Sequence, residues 1–403
     1  MNDTLEKVAR LGLGFGLRAL AQLDASEWAE RVGARARIHD LTRRAAERMP
    51  KPAPRESSGG PSRRFDLTPT QDQTMMRDVV RRFAREAIAP AAAAADDAMR
   101  IPDELFELSR ELDWLSAGID PSDGGEGERS VVTSVLIYEA LAQGDMGIAL
   151  GLLGATGAAY LIADHGDDGQ KKRWLPDLMR GERMSLAIEP ATLRAVRRGG
   201  EWVLRGRSAL VTDLRAPRFL VHATFDGTPK LAIVDAVART PVPTMGLRAA
   251  HIGRLELREA PVLDVIEADL EVVRARSRIA WSALAVGQCQ AVLDYAIPFC
   301  NERVAFGEPI SHKQSIAFLL ADIAIELEGM RLMTWRAASR ADFGEPHVRE
   351  AFLAHLQCTE KAVWAATTGV QLLGDAGFIK DHPVERWYRH LRALGTFAGG
   401  VYA

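Results

Sequence analysis

At 403 residues, 47% of them hydrophobic and 26% charged, the chain can bury two or three domain-sized cores, which sets aside disordered and miniature-scaffold classes. A formal net charge of −3 excludes the basic balance of a nucleic-acid binder, and no acidic block argues for a solvated tail. The cysteines Cys289, Cys300 and Cys358 are odd in number and unspaced, so they make neither a disulfide framework nor a metal site; they fit a reducing cytoplasm as small apolar fillers.

In chain order, residues 1–49 read as an amphipathic helical extension, with Leu5, Val8, Leu11 and Phe15 near one face and a basic outer face along "SEWAERVGARARIHDLTRRAAERM". The opening has an acid-bearing head, a short apolar run and no small-residue cleavage pattern, so no secretory signal is expected. No stretch approaches the roughly 20 apolar residues of a bilayer span. The apolar stripe needs a cover: the body of this chain, a second chain, or a membrane surface touched peripherally. Residues 50–64, "PKPAPRESSGGPSRR", are a linker by composition.

From 65 to 183 the period is helical, with Thr68 and Thr70 as candidate caps. "SVVTSVLIYEALAQGDMGIALGLLGATGAAYLIADHG" is apolar nearly all round and reads as one or two buried helices. From 184 to 271 the runs shorten and become β-branched: "GEWVLRGRSALVTD", "RFLVHATF", "KLAIVDA" and "RLELREAPV" read as strands of an antiparallel barrel or sandwich. From 272 to 403 long helical patterns return and fit a four-helix bundle. The predicted class is mainly α with a central β domain between helical N- and C-terminal domains.

Three spaced segments, "NERVAFGEPI", "KQSIAFLLADIAIELE" and "GVQLLGDAGFIKDHPVERWYRHLRAL", resemble in order and content the signature of the acyl-CoA dehydrogenase family. The resemblance runs from about residue 66 onward. It implies an oligomeric FAD-dependent oxidoreductase that acts on the CH–CH bond of acyl-CoA thioesters. A carboxylate removes the α-proton while hydride leaves Cβ for the flavin, and donors hold the thioester oxygen. By motif, Arg303 and Phe306 match positions at the FAD pyrophosphate and adenine, and Gln371 and Gly374 the loop at the adenosine half, all reaching into a neighbour's cofactor. An arginine suits a phosphate pair, and glycines admit close backbone approach. Arg278, in a basic cluster opening a helix, matches an arginine near the CoA adenosine.

The departures are as specific. The family's catalytic glutamate falls at Ala398, in the turn Phe397-Ala398-Gly399-Gly400, and the alternative base position falls at Ser277, a hydroxyl without an evident activator. Around the flavin ring, "AIEPATLRAVRRGG" keeps Glu189 and Pro190 but has Ile188 for threonine and lacks Gly-Ser-Asp; Leu210-Val211-Thr212 keeps only Thr212 of a Trp-x-Thr. Asp375 replaces a glycine, placing an anion toward a pyrophosphate unless it points away. His390 replaces an acid. Little chain comes after the turn, where the resemblance implies a further helix.

The half-site for this subunit's own flavin ring is thus degraded, and the half lent to a neighbour is mostly kept. Three functions stay open: a hetero-oligomeric subunit completing the FAD pocket of a base-bearing partner; a self-contained flavoenzyme with a displaced base at Asp375, Asp381, His382 or His390, each of which reads more readily as surface charge; or a non-redox protein that holds an acyl-thioester through the backbone N–H at Ala398.

Overall fold

The computed structural model describes residues 67–235, 238–396 and 399–403. The amino-terminal extension, the linker and the Phe397-Ala398 pair lie outside the described residues. Thr70 opens α1 (Gln71–Phe83) with a reciprocal cap: its hydroxyl accepts from Gln73 N–H at 3.2 Å, and the Gln73 side chain accepts from Thr70 N–H at 2.9 Å. A π-helical turn (Ala84–Ile88) carries α1 into α2 (Ala89–Ala98), followed by α3 (Asp103–Glu111), α4 (Val131–Gly144), α5 (Met146–His165) and α6 (Asp168–Met179). Contrary to the sequence expectation, α5 is long and apolar enough to cross a bilayer, but 89% of its most apolar window is buried inside the protein. It is a core helix, wrapped by its own chain.

Seven strands come next among the described residues: β1 (Met184–Ala187), β2 (Arg194–Arg198), β3 (Glu201–Val211), β4 (Arg218–Phe225), β5 (Thr228–Asp235), β6 (Ala238–Pro241) and β7 (Gly253–Ile266). The pairings β4–β2–β3–β7–β5–β4 close a ring, with β1 added on β4 and β6 on β7. The sheet is not purely antiparallel as expected, since β1 and β2 both run parallel to β4. Phe219, Val221 and Phe225 of β4 fill the ring's interior, while Leu220 faces the helical layer with Leu161, Ile162 and Trp174. Burial on both faces explains why this strand reads as a continuous apolar run.

The carboxy-terminal helices are α7 (Leu270–Glu302), α8 (Gln314–Asp342), α9 (Val348–Leu373) and the short α10 (Val384–Leu391); a hairpin of β8 (Val304–Ala305) and β9 (Glu308–Pro309) joins α7 to α8. All three cysteines are buried and free, and burial pushes the Cys300 and Cys358 thiols up to about 11 and about 12. Asp342, at the end of α8, accepts from Val131 N–H and Ser130 Oγ and so anchors the start of α4. Buried Arg331 of α8 donates to Glu139 of α4 at 2.7 Å and to Gln290 of α7 at 2.9 Å.

A second buried cluster locks α10 onto α5. Asp145 caps α5 by accepting from Gly147 and Ile148 N–H, and it also receives Arg386 Nε at 3.0 Å. Leu247 N–H donates to His390 Nδ1 at 2.9 Å, which leaves the ring proton on Nε2, 3.2 Å from Asp145 Oδ2. Burial works to raise the Asp145 carboxyl, but His390, Arg386 and the Ile148 amide outweigh it and hold it at about 2, below its ordinary 3.8. A carboxyl lower in the folded than in the unfolded state stabilises above its unfolded value and loses that contribution as pH falls through the folded one. Asp145→Asn is expected to lower urea-unfolding stability near neutrality by about 2 kcal/mol. The gap to wild type should narrow as pH falls from about 4 to about 2; a gap that stays constant over that window would sink the assignment.

Candidate functional site

The last helical turn before residue 397, the outer face of α9 and the loop after β1 meet at a cleft of about 310 Å³. It is lined by Glu189, Phe352, His355, Leu356, Thr359, Leu394, Gly395 and Thr396. Glu189 is held here because β1 pairs in parallel with β4 and delivers the Ile188-Glu189-Pro190 loop to the helical layer, where Ile188 is buried. Arg278 approaches from α7, its guanidinium 5.3 Å from the centre of the Phe352 ring. Burial, and secondarily the Arg278 charge, lower His355 to about 4, so its imidazole is neutral near pH 7. The cleft therefore offers a cation at its edge, a carboxylate, a neutral imidazole and two threonines against apolar walls. Such a lining suits an apolar group carrying a polar, hydrogen-bonding head.

Ser277 is buried, one residue from Arg278, and so presents no surface to a ligand; Ala398 lies outside the described residues. Thr212 follows β3 directly. It is fully buried, its backbone carbonyl accepting from Ser185 Oγ and its hydroxyl 3.3 Å from the same oxygen. It ties β3's end to β1.

The residues matched to a neighbour's cofactor lie elsewhere. Arg303 closes α7, and Phe306, 97% exposed, sits at the hairpin tip at φ 57° with Gly307 after it. Gln371 is exposed at the end of α9, and Gly374 turns the chain at φ 62° with nothing within 4 Å of where a Cβ would stand. Asp375 is exposed but its carboxylate accepts from Ala376 N–H at 3.0 Å, partly turned back onto its own chain. Phe378, beyond it, is 86% exposed. His382 draws this loop to α7: its Nδ1 is 2.8 Å from Tyr295 Oη, and its ring packs on Phe299 at 5.7 Å. A forked guanidinium, a side-chain amide and an open glycine turn at one exposed end are donors that fit a diphosphate. Arg278 and Arg303 are 25 residues apart on one helix, about 38 Å at 1.5 Å per residue. That separation exceeds the reach of one extended dinucleotide cofactor.

Of the displaced-base candidates, Asp375 and Asp381 are exposed and remote from the cleft, and His382 is committed to Tyr295. His390 is neither surface charge nor an available base, being fully buried between Asp145 and Leu247. The carboxylate that does line the cleft is Glu189. Sequence reasoning noted it as a retained motif residue without a role, and it missed His355, which stands on α9 with no motif around it.

Two family models match the chain: "Acyl-CoA dehydrogenase, N-terminal domain" over residues 70–182 and "Acyl-CoA dehydrogenase, C-terminal domain" over 273–400. The chain belongs to the acyl-CoA dehydrogenase family, whose members are FAD-binding oxidoreductases acting on acyl-CoA. Among its relatives, the cyclohex-1-ene-1-carbonyl-CoA dehydrogenase of Geobacter metallireducens is 30% identical, over 82% of this chain and 95% of that protein. The mitochondrial short-chain specific acyl-CoA dehydrogenase of Rattus norvegicus is 28% identical, over 81% of this chain and 86% of that protein. In fold, the chain is similar to butyryl-CoA dehydrogenase from Megasphaera elsdenii, with a TM-score of 0.76 and 23% identity over 82% of this chain and 95% of that one.

Because Arg278 is one of two causes that keep His355 low, Arg278→Gln is expected to move the His355 titration, read by NMR, upward from about 4. It should remain below 6.5, since burial is the larger cause. An unmoved titration would place the guanidinium away from the cleft.

Proposed function

We propose that this chain is a subunit of an acyl-CoA dehydrogenase-type hetero-oligomer. It holds an acyl-thioester at the Arg278 cleft and completes the FAD pocket of a base-bearing partner chain in the cytoplasm. The observation that carries this reading is the contrast between its two half-sites. The end bearing Arg303, Phe306, Gln371 and Gly374 stands out in solvent, with Phe306 97% exposed, while the retained ring-site hydroxyl, Thr212, is sealed in the core. An aromatic side chain so exposed on a hairpin tip has the Lys313 ammonium 5.9 Å from its ring centre, and desolvation of the remaining ring surface favours contact with a neighbour. Bound FAD supplies the two-electron oxidant. On this chain, Arg303 would hold the diphosphate by paired N–H donors and Phe306 would cover the adenine. Arg278 would meet an anionic part of the thioester's carrier at the cleft, against the Phe352 ring. With alanine at 398, this subunit does not itself take the α-proton there.

A second reading is favoured by Glu189, a carboxylate lining the cleft beside Leu394–Thr396. In a self-contained enzyme it would accept the α-proton directly, with the neutral His355 and the threonine hydroxyls orienting the thioester.

Co-expression with a base-bearing family chain and capture through a tag on this one should yield one flavin per chain pair; one flavin per chain overturns the hetero-oligomer. Arg303→Ala should lower that flavin content without moving the melting temperature of this chain, because the side chain is exposed. If the isolated chain turns over, Glu189→Gln should cut its kcat by roughly 100-fold or more, and an unchanged kcat removes the second reading.

A further inference from the structure

Three arginines stand in one row across the outer face of the sheet. Arg194 of β2 is the register partner of Arg205 on β3, and Arg205 is the register partner of Arg258 on β7. The residues beside them, Ala195, Leu204 and Leu257, fill the ring's interior, so the arginines point outward, and all three are exposed. With neighbouring strands about 4.8 Å apart, the row is about 10 Å long. Like charges directly opposite one another on a sheet are destabilising, and the surroundings offset only part of this repulsion. Glu259, the extra residue of a bulge at φ 64°, pairs with Arg205, but Arg198 shares the same carboxylate. The Arg194 and Arg258 side chains have no ion pair or hydrogen bond among the described residues. Arg197 extends the basic face, its guanidinium 4.1 Å from the centre of the Trp202 ring. Among the described residues, none of the exposed large apolar side chains stands on β2, β3 or β7.

We infer that the Arg194–Arg205–Arg258 row docks an acidic protein that carries the acyl group as a thioester and presents it to the cleft. The inference rests on the thioester reading of the Arg278 cleft. CoA and a carrier protein offer the same reacting end, a pantetheine thioester. They differ in what lies behind it: a nucleotide in one case, a folded acidic surface in the other. Glu189 lines the cleft and Arg194 opens the row five residues later, a span of at most about 18 Å of chain. A body held on the row therefore lies within that span of the cleft's Glu189 wall. Each guanidinium can grip a carboxylate by two parallel bonds. Three of them at strand spacing match carboxylates repeated along one helix face, where residues three or four apart stand about 5–6 Å from each other. The chain as a whole carries a net charge of −3, so the row is a local field that attracts an acidic partner to one face. A lipid surface is less well suited, because no large apolar side chain stands beside the charges to enter its interface.

The test uses the full chain as wild type, as Arg194→Ala/Arg258→Ala and as Arg194→Glu/Arg258→Glu. Calorimetry measures binding of butyryl-CoA and of an acidic, helical acyl carrier protein in unloaded and butyryl-loaded forms. The loaded carrier should bind wild type about tenfold or more tightly than it binds the glutamate variant, with the alanine variant between them. That gap should shrink as salt rises from about 50 mM to about 500 mM. Butyryl-CoA should bind all three proteins alike. Both variants should melt at or above the wild-type temperature, since each relieves facing like charges; a lower melting temperature in both would make the row a structural feature and overturn the inference. Equal carrier binding by wild type and the glutamate variant overturns it too, as does capture of phosphatidylglycerol-containing vesicles in place of the carrier, and either result leaves the thioester site standing where butyryl-CoA still binds. If butyryl-CoA does not bind and loading does not strengthen the carrier, the cleft reading itself fails, and the inference falls with it.

Discussion

The site depends on one long rod. α7 spans 33 residues, and its inward positions from Val273 to Cys300 are almost continuously buried against α4, α8 and α9. Packing on three sides fixes its rotation, and a fixed rotation fixes what each of its residues can reach. Arg278 goes to the cleft, Arg276 to Asp164 on the other side, Trp281 to Gly399, and Gln288 to the start of α5, where its Oε1 accepts from Met146 N–H at 2.9 Å. Arg303 is left at the far end, with Pro298 inside the last turns before it. A single rigid element thus keeps Arg278 and Arg303 about 38 Å apart, at opposite ends of the bundle.

The rod is set in place by buried charge as well as by apolar packing. Arg331 reaches Glu139, Glu328 and Gln290, so α4, α7 and α8 share one guanidinium. Asp145, Arg386 and His390 do the same for α5 and α10. Neither cluster touches the cleft. Burying such pairs costs desolvation that Coulomb attraction repays only with good geometry, so they are better read as fixing register between helices than as a large net stabilisation. Register matters here, because Gly157 of α5 lies against the Tyr402 backbone, and a slip of α5 along α7 by one residue would put a side chain in its path.

Much of this was legible in the sequence where a physical pattern repeats. The apolar helices α4 and α5, the strands around "RFLVHATF" and the capping threonine Thr70 all emerge from period and composition. Legibility failed where the determining contact is long-range. β2, "RAVRR", carries too little apolar alternation to be read as a strand and is one only because β3 pairs with it from Arg194 to Arg198. β1, with its four buried residues, looks like the end of a helical stretch. His390 reads as one more charge on a basic helix, and only the distant Asp145 and Leu247 make it a core residue. Arg303, Phe306, Gln371 and Gly374 were picked out by motif alone, and only the structure shows that they are exposed whereas Thr212 is buried. Tyr402 carries no signal at all, since nothing within a few residues of it reveals α5.

The same geometry makes the anchoring of the closing segment independent of the side chain before it. The segment beyond residue 398 is held by main-chain groups: Gly399 O receives an indole N–H and Tyr402 O a phenol. Neither bond uses the side chain at 398. The segment is fixed at its far end as well, where the Tyr402 hydroxyl donates to Asp164, so main-chain and side-chain bonds together hold it against α4, α5 and α7.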